Sequence, residues 1–169
     1  LPPTTRKPED IQIVEGFDRI VRFRHTQNPY PDYRGGTESW WAYVRDPEGE
    51  VVWLTAPLPS KKRTVAVLTA SFSEVPFNGE LYVDGKYVLK FQLSPDFENQ
   101  TWTAGDYRMS FLFRQAVAGR SGLLFIEVPA EATRAGEPLE LRITPTGGDD
   151  AGWFMVKGYR DTAGHNAIT

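Results

Sequence analysis

Short runs of Val, Leu, Phe, Tyr and Trp alternate with polar residues along this chain, and Gly, Pro, Asp or Asn interrupts them every ten residues or so. A period of two marks half-buried strands, because successive side chains of a strand point to opposite faces. The pattern predicts eleven strands, at 11–14, 19–26, 39–45, 51–55, 63–72, 80–83, 87–93, 107–114, 122–128, 139–144 and 153–159. Helix has little foothold, since breakers cut every window of about 12 residues before a 3.6-residue period is established. One short helical turn is expected over 129–134, where Pro129 suits a first helical position and Gly136 a stop. Many short strands without intervening helices predict an all-β fold, an antiparallel β-sandwich of jelly-roll type.

Alternation also sorts the faces. Tyr107, Met109, Phe111 and Phe113 share one row, opposite Arg108, Ser110 and Arg114. Leu139, Leu141 and Ile143 oppose Glu140, Arg142 and Thr144, and Leu89, Phe91 and Leu93 oppose Lys90 and Gln92. These apolar rows are the expected core, and Trp53 and Trp153, inside apolar runs, are expected to join it. Asp84-Gly85 between two alternating runs is a strong hairpin signal, and Asp46-Pro47-Glu48-Gly49 has Pro placed for a type I turn. The strand at 39–45 breaks the tidy pattern. With Trp40, Ala42 and Val44 as its core row, Trp41, Tyr43 and Arg45 fall on the outer face. Such a row is either an interaction surface or is covered by a loop such as 30–36.

Composition bounds the rest. The 169 residues suit one domain at 11–161, with tails at 1–10 and 162–169, and can bury a sizeable core without staples. Cysteine is absent, which removes disulfides, thiolate metal sites and cysteine nucleophiles. A net charge of −3, with Lys and Arg scattered, lacks the footprint of a nucleic-acid binder. No apolar run approaches the ~18 residues of a membrane span. The start at Leu1, without Met, suggests a processed or excised chain.

Enzyme signatures are thin. His25 and His165 are the two histidines, and neither has a partner at metal-ligand spacing. Gly35-Gly36 and Gly147-Gly148 lack the strand–loop–helix setting of a phosphate cradle. Loop carboxylates at Glu74, Glu80, Asp96, Glu98, Asp106, Asp149 and Asp150 include residues that turns favour on their own account. No cofactor is required on this reading. Asp149 and Asp150 are weak candidates for a structural calcium, without a calcium-loop spacing.

Aromatic residues near loops and strand ends are the more informative chemistry. A sugar ring packs its axial C–H bonds on an aromatic face while nearby polar groups bond its hydroxyls. Trp41 and Tyr43 are the expected platform, with Arg45 or a strand-neighbour such as Arg24 bonding hydroxyls or an acidic sugar's carboxylate. Tyr30, Tyr33 and Trp102 are expected to contribute from loops. Trp102 lies within Asn99-Gln100-Thr101-Trp102-Thr103, and its alternative role is to close the core at a strand edge.

From about residue 50 to 161 the chain resembles the galactose-binding-like jelly rolls that serve as carbohydrate-binding modules and accessory domains of bacterial polysaccharide-degrading enzymes. The resemblance rests on the hairpin Leu81-Tyr82-Val83-Asp84-Gly85-Lys86-Tyr87-Val88-Leu89, on Leu123-Leu124-Phe125-Ile126-Glu127-Val128-Pro129, on Gly136-Glu137-Pro138-Leu139-Glu140-Leu141-Arg142-Ile143, and on Trp153-Phe154-Met155-Val156. These are framework segments, so they imply a fold and carry no ligand residue over. The expectation is a non-catalytic carbohydrate-binding module, secreted to the extracellular space or periplasm, working beside a glycan-active catalytic domain. Its rivals are a structural domain that packs against such a partner, and a small jelly-roll lyase or hydrolase.

Overall fold

The computed structural model describes residues 10–24, 39–45, 49–116, 119–147, 152–160 and 166–167, with side chains outside the description at 20, 22–24, 39–43, 45, 157–160 and 166–167. In chain order the strands are β1 (Ile11–Glu15), β2 (Arg19–Arg24), β3 (Ser39–Arg45), β4 (Glu50–Leu54), β5 (Arg63–Phe72), β6 (Phe77–Val83), β7 (Lys86–Leu93), β8 (Asn99–Ala104), β9 (Tyr107–Gln115), β10 (Arg120–Val128), β11 (Glu140–Pro145), β12 (Trp153–Arg160) and β13 (Asn166–Ala167). A three-residue 3-10 turn at Ala130–Ala132 follows Pro129. Among the described residues no helix is long and apolar enough to cross a membrane.

Two sheets pack face to face. The larger runs β13-β12-β5-β10-β9-β8, with β3 also on β12 and β1 beside β5, and the smaller runs β2-β4-β11-β6-β7. All these pairings are antiparallel except β1 with β5, which is parallel. The length of β5 leaves room for it. Strand β12 pairs only with Thr69–Phe72 of the ten-residue β5, and β1 takes up the backbone groups of Arg63–Val67 along the same edge.

The core lies between the sheets and is built from the predicted rows. Leu68, Phe72, Met109, Phe111, Leu124, Ile126, Phe154 and Val156 of the larger sheet join one cluster with Trp53, Leu81, Leu89, Phe91, Leu141 and Ile143 of the smaller. Phe72 meets Phe111 edge-on at 5.3 Å, and Phe77 stacks on Phe154 at 5.6 Å. Trp53 is completely buried, and its indole N–H donates to the Gly16 carbonyl at 2.7 Å, so it buries a large ring without orphaning a donor.

Three features depart from the sequence reading. Strand β8 has Trp102 as its one large apolar residue, and a polar edge strand leaves no alternating signature. Strand β13 pairs Ala167 with Tyr159 and Asn166 with Arg160, so two residues of the expected C-terminal tail extend the larger sheet. Strands β3 and β4 belong to different sheets and do not form a ladder with each other, and residues 46–48 of the expected type I turn lie outside the described residues.

Candidate functional site

A cleft of about 560 Å³ opens at one end of the sandwich, lined by Val83, Asp84 and Lys86 of the β6–β7 hairpin, Tyr107 at the start of β9, and the loop from Pro129 to Leu139. The hairpin turn is of the type its sequence dictates. Asp84 and Gly85 both have left-handed backbones, at φ 50° and 80°, as a two-residue type I′ turn requires. The Asp84 backbone N–H donates to the Glu140 carbonyl at 2.7 Å, and its carboxylate accepts from the Glu140 N–H at 2.9 Å, which pins the turn to β11.

The opposite wall is an irregular loop tied down at several points. The Thr133 hydroxyl donates to the Ala130 carbonyl at 2.7 Å, and the Lys61 ammonium reaches the carbonyls of Ala130 and Thr133 at 3.2 and 3.3 Å. The Gly136 N–H donates to Leu58, the Leu58 N–H donates back to Glu137, and the Thr55 hydroxyl accepts from the Leu139 N–H. With its backbone fixed, this loop presents Glu131, Arg134 and Glu137 at the rim without ordering them at the moment of binding.

Val83, Pro129 and Leu139 form an apolar floor, and Tyr107 packs its ring against the core. The Tyr107 hydroxyl is pushed above its ordinary value near 10, first by burial and then by the charges of Glu131 and Asp84. Arg134 and Glu137 face each other at 3.8 Å, both largely exposed. The cleft therefore combines an aromatic hydroxyl, carboxylate acceptors and cationic donors over an apolar base.

The expected platform falls elsewhere. Register opposes position 41 to Lys157, 43 to Met155 and 45 to Trp153, the row that alternates with the core residues Phe154 and Val156. The side chains of Trp41, Tyr43, Arg45 and Arg24 lie outside the described residues, as do Tyr30, Tyr33 and the loop 30–36 entirely. Arg24 is on β2 of the smaller sheet, opposite Glu50, so it is not a strand neighbour of Trp41. On the same outer face Met155, Thr69, Ser71, Ser121, Ser110 and Phe125 are buried, whereas Val67 and Leu123 are half-buried and Leu112 is exposed.

The other tryptophans are described. Trp102 is half-buried, with its ring 5.6 Å from that of Phe91, and it closes the core where the edge of one sheet meets the other. Trp153 is not in the core as expected. It sits on the alternate row, half-buried, against the backbone of Gly119. Asp149 and Asp150 lie outside the described residues, and among those described no group of three or more His, Cys, Asp or Glu is placed to hold a metal ion.

The loop carboxylates are dispersed. Asp96 and Ser94 bond each other in the β7–β8 loop, Glu80 accepts from the Tyr82 hydroxyl at 3.2 Å, and Asp106 offers its carbonyl to Arg63. The cleft residues escape sequence reasoning as a set because the lining is drawn from segments far apart in the chain. The available signal was the run 129–139, where two prolines and a glycine are interleaved with charged side chains beside a predicted turn. Compared with protein-family models, curated proteins and solved structures, the chain matches none.

Proposed function

We propose that this chain is a non-catalytic β-sandwich module that binds carbohydrate in the end cleft. The observation that carries the reading is the lining: one tyrosine ring and hydroxyl, carboxylates and cations in alternation, over an apolar floor in a volume of about 560 Å³. Small-molecule sites span about 300–1,000 Å³ and pair apolar area with a few placed polar groups. Sugar hydroxyls both donate and accept, so they need both kinds of partner within reach, and Asp84, Glu131, Lys86 and Tyr107 supply them. The likeness of 81–89 and 136–143 to framework segments of galactose-binding-like modules supports the same class. It also gives the natural partner as a secreted, glycan-active catalytic domain.

The test is glycan-array binding by the purified chain, followed by titration of the best ligand. Tyr107→Phe keeps the ring and removes one hydrogen-bonding group, so affinity should fall about three- to tenfold. Trp41→Ala should leave affinity unchanged. The reverse pattern, with Trp41→Ala abolishing retention and Tyr107→Phe silent, would place binding on the β3 face instead.

A further inference from the structure

We propose that the cleft selects a cationic sugar unit, a hexosamine with a free ammonium group, and rejects uronates. This rests on the carbohydrate reading above and deepens it. Five charged side chains line the cleft, three acidic (Asp84, Glu131, Glu137) and two basic (Lys86, Arg134). Arg134 is matched to Glu137 at 3.8 Å, which leaves two carboxylates against one ammonium, a balance of 1 − 2 = −1. The remaining nearby ammonium, that of Lys61, is turned to the carbonyls of Ala130 and Thr133 on the loop backbone.

The two unmatched carboxylates line the same cleft as Tyr107. Glu131 and Asp84 are the charges that raise the titration of its hydroxyl after burial, so the potential at the cleft floor is negative where the ring lies. An ammonium placed there meets two acceptors that carry charge and an aromatic ring that attracts cations. A uronate carboxylate placed there meets like charge. Asp84 is held by its bond from the Glu140 N–H, so this acceptor is pre-positioned, and Glu131 is exposed on the 3-10 turn.

The experiment titrates the whole chain with three soluble probes, fully deacetylated chitosan oligomers, their N-acetylated counterparts and oligogalacturonides, at a pH where the amine is protonated and again where it is not. The expected result is about tenfold tighter binding of the deacetylated oligomer, the size of one charge-assisted contact, lost at the higher pH. Glu131→Gln should shrink that preference, weakening the deacetylated oligomers more than the N-acetylated ones, and melting of the variant should match the parent because Glu131 is exposed. Equal binding of acetylated and deacetylated oligomers, or tighter binding of oligogalacturonides, would overturn the charge preference and leave the carbohydrate reading standing. Failure of all three probes together with an empty glycan array would overturn both.

Discussion

Glu127 is 3 % exposed although its side chain lies on the face of the larger sheet turned away from the core. It is buried in company: the Arg63 Nε donates to it at 2.6 Å, Arg108 stands 3.9 Å away across the β9–β10 ladder, and Arg63 also donates to the Asp106 carbonyl. Removing one partner of a buried pair leaves the other desolvated and unpaired, at a cost of about 3–5 kcal/mol. Glu127→Ala should therefore lower stability by that order in chemical denaturation, and a loss under about 1 kcal/mol would show that solvent reaches Arg63. Ser71 gives the opposite expectation. It is 1 % exposed and its hydroxyl finds no hydrogen-bond partner among the described residues. Ser71→Ala deletes an unsatisfied group and should be neutral or stabilising by about 1 kcal/mol. A polar outer row is legible in the sequence at Glu127, but its burial is not, because burial depends on what neighbouring strands place around it.

At the scale of elements, two glycines separate what a turn needs from what packing needs. Gly85 has φ 80° and open space around a hypothetical Cβ, so Gly85→Ala pays only for the left-handed backbone, about 1 kcal/mol. Gly122 has an ordinary backbone, but a Cβ there would lie 2.0 Å from the Leu112 carbonyl oxygen on β9, at the register shift between the strands. Gly122→Ala must move a central strand pair and should cost several times more than Gly85→Ala, as thermal melts of the two variants would show. The hairpin at Asp84-Gly85 is visible in sequence because a type I′ turn is local. The register shift beside Gly122 is not, since it depends on how β9 pairs with β10. The same distinction explains β8, whose Asn-Gln-Thr-Trp-Thr-Ala is strand only because β9 offers it a ladder.

Over the whole molecule, the end cleft draws Tyr107 from β9 of the larger sheet and Asp84 from the β6–β7 turn of the smaller, so the surroundings of the Tyr107 hydroxyl exist only in the folded state. Tyr107 is raised above its ordinary value, and the neutral phenol is the form the folded state favours. Its contribution is fully present below a pH of about 10, and is lost as pH climbs from there through the folded value. Stability should therefore fall on that alkaline limb, and Tyr107→Phe should flatten the fall; an unchanged slope would place the hydroxyl in open solvent. The sequence alone determined the strands with strong alternation, the apolar rows and the β6–β7 turn, because period and turn chemistry act over a few residues. Only the tertiary structure decided the rest. It set a parallel β1 beside β5, sent β3 and β4 into different sheets, and gathered Asp84, Tyr107 and Glu131 at one cleft. Those outcomes depend on which strand edges are left unpaired and which loops meet at an end, and both are fixed by backbone hydrogen bonds and packing between segments distant in the chain.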